Sequence, residues 1–172
     1  MPIRYAVKED CAAIAAIYNH AVINTAAIWN DQTVDADNRI AWFEARALLG
    51  YPVIVSEENG VVTGYASFGD WRAFDGFRHT VEHSVYVHPD HQGKGLGLAL
   101  MERLIQEAKR IGKHVMVAGI EAQNQGSIHL HQKLGFTITG QMPQVGTKFG
   151  RWLDLTFMQL QLDNRTDPDA PA

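Results

Sequence analysis

Segment 85–97 places a glycine-rich turn between an apolar strand and a helix. The β-branched, apolar run 81–87 predicts a strand that ends before Pro89, which has no backbone donor. After the glycines, apolar residues recur at helical spacing over 100–111. The first amides of such a helix lack acceptors, and the helix dipole adds about half a positive charge beside them. The segment therefore predicts a site for a phosphate group, where glycines let the ligand approach the backbone.

The spacing of the glycines decides between phosphate loops. A nucleoside-triphosphate loop requires Ser or Thr after its lysine, but Gly95 follows Lys94. A dinucleotide fingerprint that starts at Gly93 would need a third glycine where Leu98 stands. The pattern present is Q-x-x-G-x-G over 92–97. Both common nucleotide loops are therefore excluded.

A second segment, 124–136, predicts another helix, with Asn124 at its start and Gly135 at its end. This segment and the 92–97 pattern resemble the two coenzyme-binding motifs of the GNAT N-acetyltransferase superfamily, in the same order. The resemblance covers residues 2–162. It is greatest to the phosphinothricin and methionine sulfoximine/sulfone acetyltransferases.

The resemblance implies a fold, a co-substrate and a reaction. The fold would be α/β (mixed, α+β-like), with a central, mostly antiparallel twisted sheet that is splayed at the coenzyme site and flanked by helices. Acetyl-CoA would be the co-substrate, and an amine would attack it directly in a ternary complex, without a metal. Because members of the family are often dimers, a homodimer is expected.

The resemblance also implies coenzyme contacts from both motifs. The backbones of Val85 and Val87 would pair with the pantetheine arm, and the Asn124 side chain would add a hydrogen bond. Lys133 would reach a phosphate or belong to the polar face of its helix. The implied coenzyme-binding residues are Val85, Tyr86, Val87, Gln92, Gly93, Lys94, Gly95, Leu96, Gly97, Asn124, Ser127 and Lys133.

Glu82 stands inside the apolar strand, with Thr80 and Ser84 on its face. A carboxylate in a central strand is costly to bury unless it is paired or functional. Burial raises its pKa toward the range of an effective base. The resemblance implies that Glu82 deprotonates the amine, directly or through water. A solvent-facing glutamate on an edge strand is the alternative.

His131 stands at a position where the superfamily commonly has tyrosine. The phosphinothricin-type enzymes that this chain resembles also depart from tyrosine at this position. An imidazole titrates near pH 6.5, so His131 could protonate the leaving thiolate or assist Glu82. His129 falls on another face of the helix and is expected at the surface. Two such histidines cannot converge on one ion, so no metal site is expected. Cys11 lies on an apolar helix face and is expected in the core.

The loop before the Glu82 strand combines two arginines with aromatic side chains. A guanidinium binds a carboxylate through two parallel hydrogen bonds, so Arg72 or Arg78 is expected to hold the substrate carboxylate. An aromatic loop packed on the surface is the alternative. The predicted substrate-binding residues are Arg72, Phe74, Asp75, Gly76, Phe77, Arg78 and Glu82.

Composition limits the partners and the compartment. A net charge of −4 gives no overall attraction for nucleic acid or anionic membranes. The amino terminus shows no signal-peptide pattern and no apolar run is long enough to cross a membrane, so the cytoplasm is expected. We predict one domain over 1–162. The tail 163–172 carries three aspartates and no large apolar residue, which predicts disorder.

Local patterns predict several further elements. Asn59-Gly60 predicts a tight hairpin turn. A helix is expected over 36–49, and the closing strands are expected over 137–142 and 152–162.

The sequence therefore predicts an enzyme that acetylates the α-amino group of a small amino acid or analogue, of the methionine sulfoximine/sulfone or phosphinothricin type. Acetylation of a protein N-terminus or of an aminoglycoside is the second enzyme hypothesis. The compact loop of arginines and aromatics disfavours a peptide, and the lack of a long acidic cluster disfavours a polycation. A coenzyme A-binding module without catalysis is the remaining alternative.

Overall fold

The computed structural model describes residues 2–172, which form α-helices and strands in mixed order. The α-helices are α1 (Cys11–Asn24), α2 (Ala36–Leu48), α3 (Leu96–Arg110) and α4 (Gln125–Lys133). The strands are β1 (Ile3–Tyr5), β2 (Val53–Glu58), β3 (Val61–Asp70), β4 (Thr80–Val87), β5 (Val115–Glu121), β6 (Thr137–Lys148) and β7 (Arg151–Gln161).

The strands form one seven-stranded sheet in the order β1-β2-β3-β4-β5-β7-β6. The pairs β1–β2, β2–β3, β5–β7 and β6–β7 are antiparallel, whereas β4 and β5 are parallel. Parallel neighbours need a crossover connection, and α3 lies in the chain between β4 and β5. The predicted mixed α/β fold with a mostly antiparallel sheet is confirmed.

Two tight turns shape the antiparallel hairpins. Asn59 and Gly60 both have positive φ, at 53° and 79°, as the predicted turn between β2 and β3 requires. Phe149 and Gly150, at 53° and 72°, make a comparable turn between β6 and β7. The phenylalanine in the left-handed region is costly. Because phenylalanine is not typical of such a turn, the sequence pattern did not indicate it.

Strand β6 is longer than predicted, because it continues past residue 142 to Lys148. The register with β7 shifts between Met142 and Gly146. Within that bulge Gln144 has a φ of 55°, and its amide donates to the Asp154 carboxylate at 2.7 Å. The bulge lets the strand continue past a proline that local pattern treats as its end.

The chain comprises two compact units, and each is built from separate segments. The first contains the described residues up to Phe68 together with Ser84–Leu104, and the second contains Gly69–His83 and Ile105–Ala172. The linear boundary predicted at residue 162 coincides with the edge of neither unit. One buried apolar cluster of the first unit is Ala6, Ile14, Ile17, Val53, Val55, Val62 and Tyr65.

Both units contain further fully buried side chains. Cys11 is fully buried in α1, as predicted, and burial raises the pKa of its thiol. In the second unit, Met116, Ala118 and Met158 are fully buried on β5 and β7. Among residues 2–172, no helix has the length and apolar character needed to cross a membrane.

The tail over 163–172 belongs to the second unit and contacts the residues before β5. His114 Nδ1 lies 2.6 Å from Asp163, and the Arg165 guanidinium donates to the carbonyl of Gly112 at 2.9 Å. The tail contains no helix or strand. Its contacts are ion pairs and hydrogen bonds, because it offers little apolar surface.

Candidate active site

The glycine-rich turn at the start of α3 presents bare backbone. Gly93 and Gly95 have φ of 76° and 79°, and no atom lies within 4 Å of the position that a Cβ would take on either. Leu96 is buried and anchors the first turn of α3. The Ala99 amide donates to the Gly95 carbonyl at 3.1 Å, so the amides over 96–98 precede the helical ladder. The geometry suits a phosphate group.

Hydrogen bonds near both ends of β4 show which of its residues face β3. The Trp71 amide donates to Thr80 O at 3.4 Å, and the His88 amide donates to Thr63 O at 2.8 Å. Even-numbered residues of β4 therefore direct their backbone groups toward β3. The odd-numbered side faces β5, since the carbonyl of His79 accepts from the start of β5 at 3.2 Å.

Because of this alternation, the backbone groups of Val85 and Val87 point to a different side of β4 from those of Tyr86. Pairing with β5 covers only Thr80–Glu82. Val85 and Val87 are odd-numbered, so their backbone groups point away from β3 in the part of the strand beyond that pairing. The Tyr86 backbone faces β3, and its ring packs against Tyr65 with centroids 5.4 Å apart. The structure therefore does not place Tyr86 with Val85 and Val87.

Glu82 is half-buried on β4, in a setting that suits a base. Its Oε2 atom lies 3.5 Å from the position that a Cβ on Gly119 would take, and Leu155 and Phe157 lie 3.7 Å from that position. Burial raises the pKa of the Glu82 carboxyl, and the charge of Arg72 opposes this. The missing side chain at residue 119 leaves the carboxylate accessible between apolar neighbours.

Arg72 is fixed by aromatic contacts rather than by a carboxylate. Its guanidinium carbon lies 4.6 Å from the centroid of the Trp71 ring, and that ring meets Phe157 edge-on at 5.4 Å. No ion pair involves Arg72 in the described part of the chain. Its hydrogen-bond donors remain available to a ligand near Glu82.

Arg78 is committed to groups of the protein. It forms an ion pair with Asp169 at 3.2 Å and donates to the carbonyl of Asp75 at 3.1 Å. Asp75, Gly76 and Phe77 form a short 3-10 turn. Phe74 is 77% exposed, and Phe77 is also exposed. The two arginines that the sequence left equivalent thus differ in their contacts: Arg78 has protein partners, whereas Arg72 lies against the Trp71 ring.

His131 forms a hydrogen-bonded pair with His83, a residue that sequence reasoning did not select. Their Nε2 atoms lie 2.9 Å apart, and the rings stack with centroids at 5.0 Å. His131 Nδ1 lies 2.7 Å from Ser127 O. Phe136 packs edge-on against both rings. The sequence signal that could have indicated this pair is a histidine directly after Glu82, on the opposite face of the same strand.

The hydrogen bonds fix the protons of the pair. A carbonyl only accepts, so His131 carries its hydrogen on Nδ1 and presents a lone pair at Nε2. His83 must then donate from Nε2, which leaves its Nδ1 as a buried acceptor without a partner among residues 2–172. Burial and the neighbouring His131 lower the pKa of His83 to about 3. Burial also lowers the pKa of His131, against the bond to Ser127. The lowered pKa values favour the neutral form of both rings.

Comparison with known proteins assigns the family. Residues 12–136 match the Acetyltransferase (GNAT) family. The chain belongs to the GNAT acetyltransferase family. It is therefore an acyltransferase.

Several relatives of this GNAT chain carry functional names. It is 84% identical to the L-amino acid N-acyltransferase MnaT of Escherichia coli K12, over 99% of both chains. It is 78% identical to the L-methionine sulfoximine/L-methionine sulfone acetyltransferase of Salmonella typhimurium LT2, again over 99% of both. A phosphinothricin N-acetyltransferase of Streptomyces viridochromogenes is 34% identical over 96% of this chain and 90% of its own. The resemblance drawn from the motifs is confirmed.

A solved structure supports the fold. The Salmonella typhimurium acetyltransferase yncA, determined with its cofactor acetyl-CoA, superposes with a TM-score of 0.97 at 78% identity, covering 99% of this chain and 98% of that one. The GNAT fold expected from the sequence is thereby confirmed.

The hypothesis that Glu82 and His131 share one proton path does not agree with the geometry. Glu82 and His83 are consecutive residues of an extended strand, so their side chains point to opposite faces. His131 contacts His83 and is only 1% exposed. Its lone pair at Nε2 is an acceptor, which disfavours a role as the acid for a thiolate.

The other predicted residues of α4 lie at its surface or at its start. The Asn124 side chain accepts from the Ser127 amide at 3.1 Å and so caps the helix, which leaves its amide group as a donor. Lys133 and His129 are exposed. Within residues 2–172, no cluster of three or more His, Cys, Asp or Glu side chains could hold a metal ion.

Proposed function

We propose that this chain transfers an acetyl group from acetyl-CoA to the α-amino group of a small L-amino acid. The observation that carries the proposal is that Arg72, which forms no ion pair among residues 2–172, acts electrostatically on the half-buried Glu82 carboxyl and opposes the rise of its pKa. The names of the relatives favour methionine sulfoximine and methionine sulfone as substrates, with phosphinothricin-type analogues less favoured because those relatives are more distant.

Arg72 would bind the substrate carboxylate through two parallel hydrogen bonds. Its stacking on Trp71 orients the guanidinium plane, which reduces the entropy lost when a ligand binds. Trp71, Phe157 and Leu155 supply apolar surface for a short side chain. The pairing of one arginine with apolar walls is what a small amino acid requires.

Glu82 would accept the proton that the substrate ammonium must lose. The free amine then forms the C–N bond as the bond from the carbonyl carbon to sulfur breaks, and the electron pair leaves on the thiolate. The thiolate takes up the second proton, which the new amide nitrogen must lose, so the products are the amide and the coenzyme A thiol. A raised pKa makes Glu82 a stronger base than an exposed carboxylate. Whether Glu82 acts directly or through one water changes the distance but not the balance of protons.

When bound, acetyl-CoA supplies the activated acetyl group. The amides over 92–97 and the helix start would hold its phosphates, and Lys94 stands in this exposed loop. Val85 and Val87 would pair with the pantetheine amides, because their backbone groups point away from β3. Asn124, with Ser127 and Lys133 on the same helix, would complete the contacts that the family resemblance implies.

A thiol-release assay tests the function. Purified protein and acetyl-CoA are supplied with a panel of L-amino acids, methionine sulfone, methionine sulfoximine and phosphinothricin, and coenzyme A release is followed. We expect amine-dependent release that is highest for the methionine analogues and that needs a much higher substrate concentration, through a raised KM, when the carboxylate is amidated. Faster release with an N-terminal peptide or an aminoglycoside would favour that enzyme instead. Tight coenzyme binding without release for any amine would indicate a non-catalytic module.

We propose further that the enzyme is a cytoplasmic homodimer. The hairpin β6–β7 exposes Met142, Val145 and Trp152, and exposed apolar side chains of this kind favour a protein interface. The family resemblance supports the same state. Light scattering coupled to gel filtration should give twice the 19.1 kDa chain mass, and fractionation of cells should recover the protein with the cytoplasm. A monomer, or recovery in another fraction, would contradict these proposals.

A further inference from the structure

The segment after β7, residues 163–172, forms a strap that is anchored at the start of β5. Arg165 is its anchor, with a side chain only 9% exposed. The Arg165 guanidinium donates to Gly112 O at 2.9 Å and to Ala170 O at 3.3 Å. Asp163 adds a 2.6 Å contact to His114. These bonds close the strap on itself and tie it to the rest of the second unit.

The far end of the strap reaches the loop over 71–79. Asp169 forms its ion pair with Arg78 at 3.2 Å. Lys113 donates to the Arg78 carbonyl at 2.6 Å, so the same residue is held through its backbone as well. A cavity of about 440 Å³ lies between the strap and this part of the loop. The loop is thus held by a few polar contacts rather than by close packing.

We propose that this strap positions the substrate loop, and that Arg78 is a positioning residue rather than a ligand of the substrate. The loop runs from Arg78 back to Arg72, which the proposed function, on which this inference rests, assigns to the substrate carboxylate. The bond between Asp169 and Arg78 limits the movement of the loop and thereby keeps Arg72 near Glu82. The strap acts through Arg72 and touches no reacting atom.

The exposure of the ion pair determines the size of the effect. The Arg78 and Asp169 side chains are 53% and 84% exposed, so water and salt screen their attraction. Neutralising the pair should raise the KM for the amino acid by about two- to fivefold. Reversing one charge should raise it further, because two like charges then repel across the same gap. The affinity for coenzyme A should not change.

Three variants test the strap. Asp169→Asn removes the ion pair, Asp169→Lys replaces it with repulsion, and the double variant Arg78→Glu with Asp169→Lys restores it in reverse. Glu44→Gln is the matched control, because Glu44 belongs to another exposed ion pair, with Lys8 at 3.9 Å. We expect KM to rise in the order control, Asn, Lys, and to return toward the wild-type value in the double variant.

Two readouts separate positioning from a general structural effect. With a substrate whose carboxylate is amidated, the variants and the wild type should have the same KM, because Arg72 no longer has a group to bind. Added salt should raise the KM of the wild type more than that of Asp169→Asn. An equal rise with both substrates, or no rescue by the double variant, would overturn the proposal.

Amide hydrogen exchange keeps this test independent of the proposed function. Amides over 71–79 should exchange faster in Asp169→Lys than in the wild type, and the double variant should restore protection. Unchanged exchange would refute the strap even if the enzyme is active. Failure of the wild type to acetylate any amino acid, with normal exchange differences, would instead refute the proposed function.

Discussion

Replacing His83 with glutamine should flatten the acid side of the stability curve. A glutamine amide keeps a donor for His131 Nε2 but cannot take up a proton. In the wild type, burial and the neighbouring ring hold the pKa of His83 at about 3, against 6.5 for an ordinary histidine. The unfolded state therefore binds more protons than the folded state between these two values.

The sign and the magnitude follow from that difference. A lowered pKa contributes stability that is complete above pH 6.5 and is lost as the pH falls toward the folded value. Because pH 5 lies 1.5 units below the ordinary pKa of 6.5, the stability lost by that pH is about 2 kcal/mol for His83 alone. This figure barely depends on the folded pKa once that value lies well below 5. His131, whose pKa is also lowered, adds a loss of the same sign.

Urea unfolding at 25 °C between pH 7 and pH 5 measures the effect. From pH 7 to pH 5, the free energy of unfolding should fall by about 2 kcal/mol less for His83→Gln than for the wild type. This holds whatever the difference in stability between the two proteins at pH 7. His129→Gln is the matched control, because that side chain is exposed. Its curve should stay parallel to the wild type. A constant difference between His83→Gln and the wild type would refute the lowered pKa of His83.

Four further variants address the site. Gly95→Asp should abolish coenzyme A binding in a calorimetric titration, because a side chain and a negative charge would enter the phosphate loop at a φ of 79°; unchanged affinity would make the loop merely structural. Arg72→Ala should lower kcat/KM for the amino acid by roughly 30- to 1,000-fold, and Arg78→Ala by far less, because Arg78 pairs with Asp169 whereas Arg72 forms no ion pair among residues 2–172; equal losses would contradict the assignment. The double variant Glu82→Gln with His131→Ala should lose activity as the product of the single effects, since the two side chains face opposite sides of β4; a smaller loss would restore a shared proton path.

Features set by neighbouring residues could be predicted from the sequence. The glycine-rich turn before α3 was predictable because the positive φ of Gly93 and Gly95 and the helix start after them depend on a few consecutive residues. The hairpin at Asn59-Gly60 was predictable for the same reason. Glu82 stood out because a carboxylate in an apolar strand is costly to bury.

Features that depend on distant residues could not be predicted from the sequence. Arg72 and Arg78 have the same chemistry in sequence, and only Asp169, 91 positions from Arg78, distinguishes them. His83 meets His131 across 48 positions, so no local pattern shows that the two rings pair. The hydrogen bond from Arg165 to the carbonyl of Gly112 spans 53 positions and has no local signal either.

The pH dependence of Glu82→Gln tests the central claim most directly, namely that Glu82 is the base of an acetyl transfer to an amino acid. Initial rates of thiol release are measured for the wild type and the variant from pH 5 to pH 10, with coenzyme A affinity measured alongside. We predict that kcat falls by about 10² to 10⁴ at neutral pH, that the deficit shrinks at high pH where the amine deprotonates unaided, and that the affinity is retained. A variant that keeps the wild-type kcat at neutral pH would contradict the account.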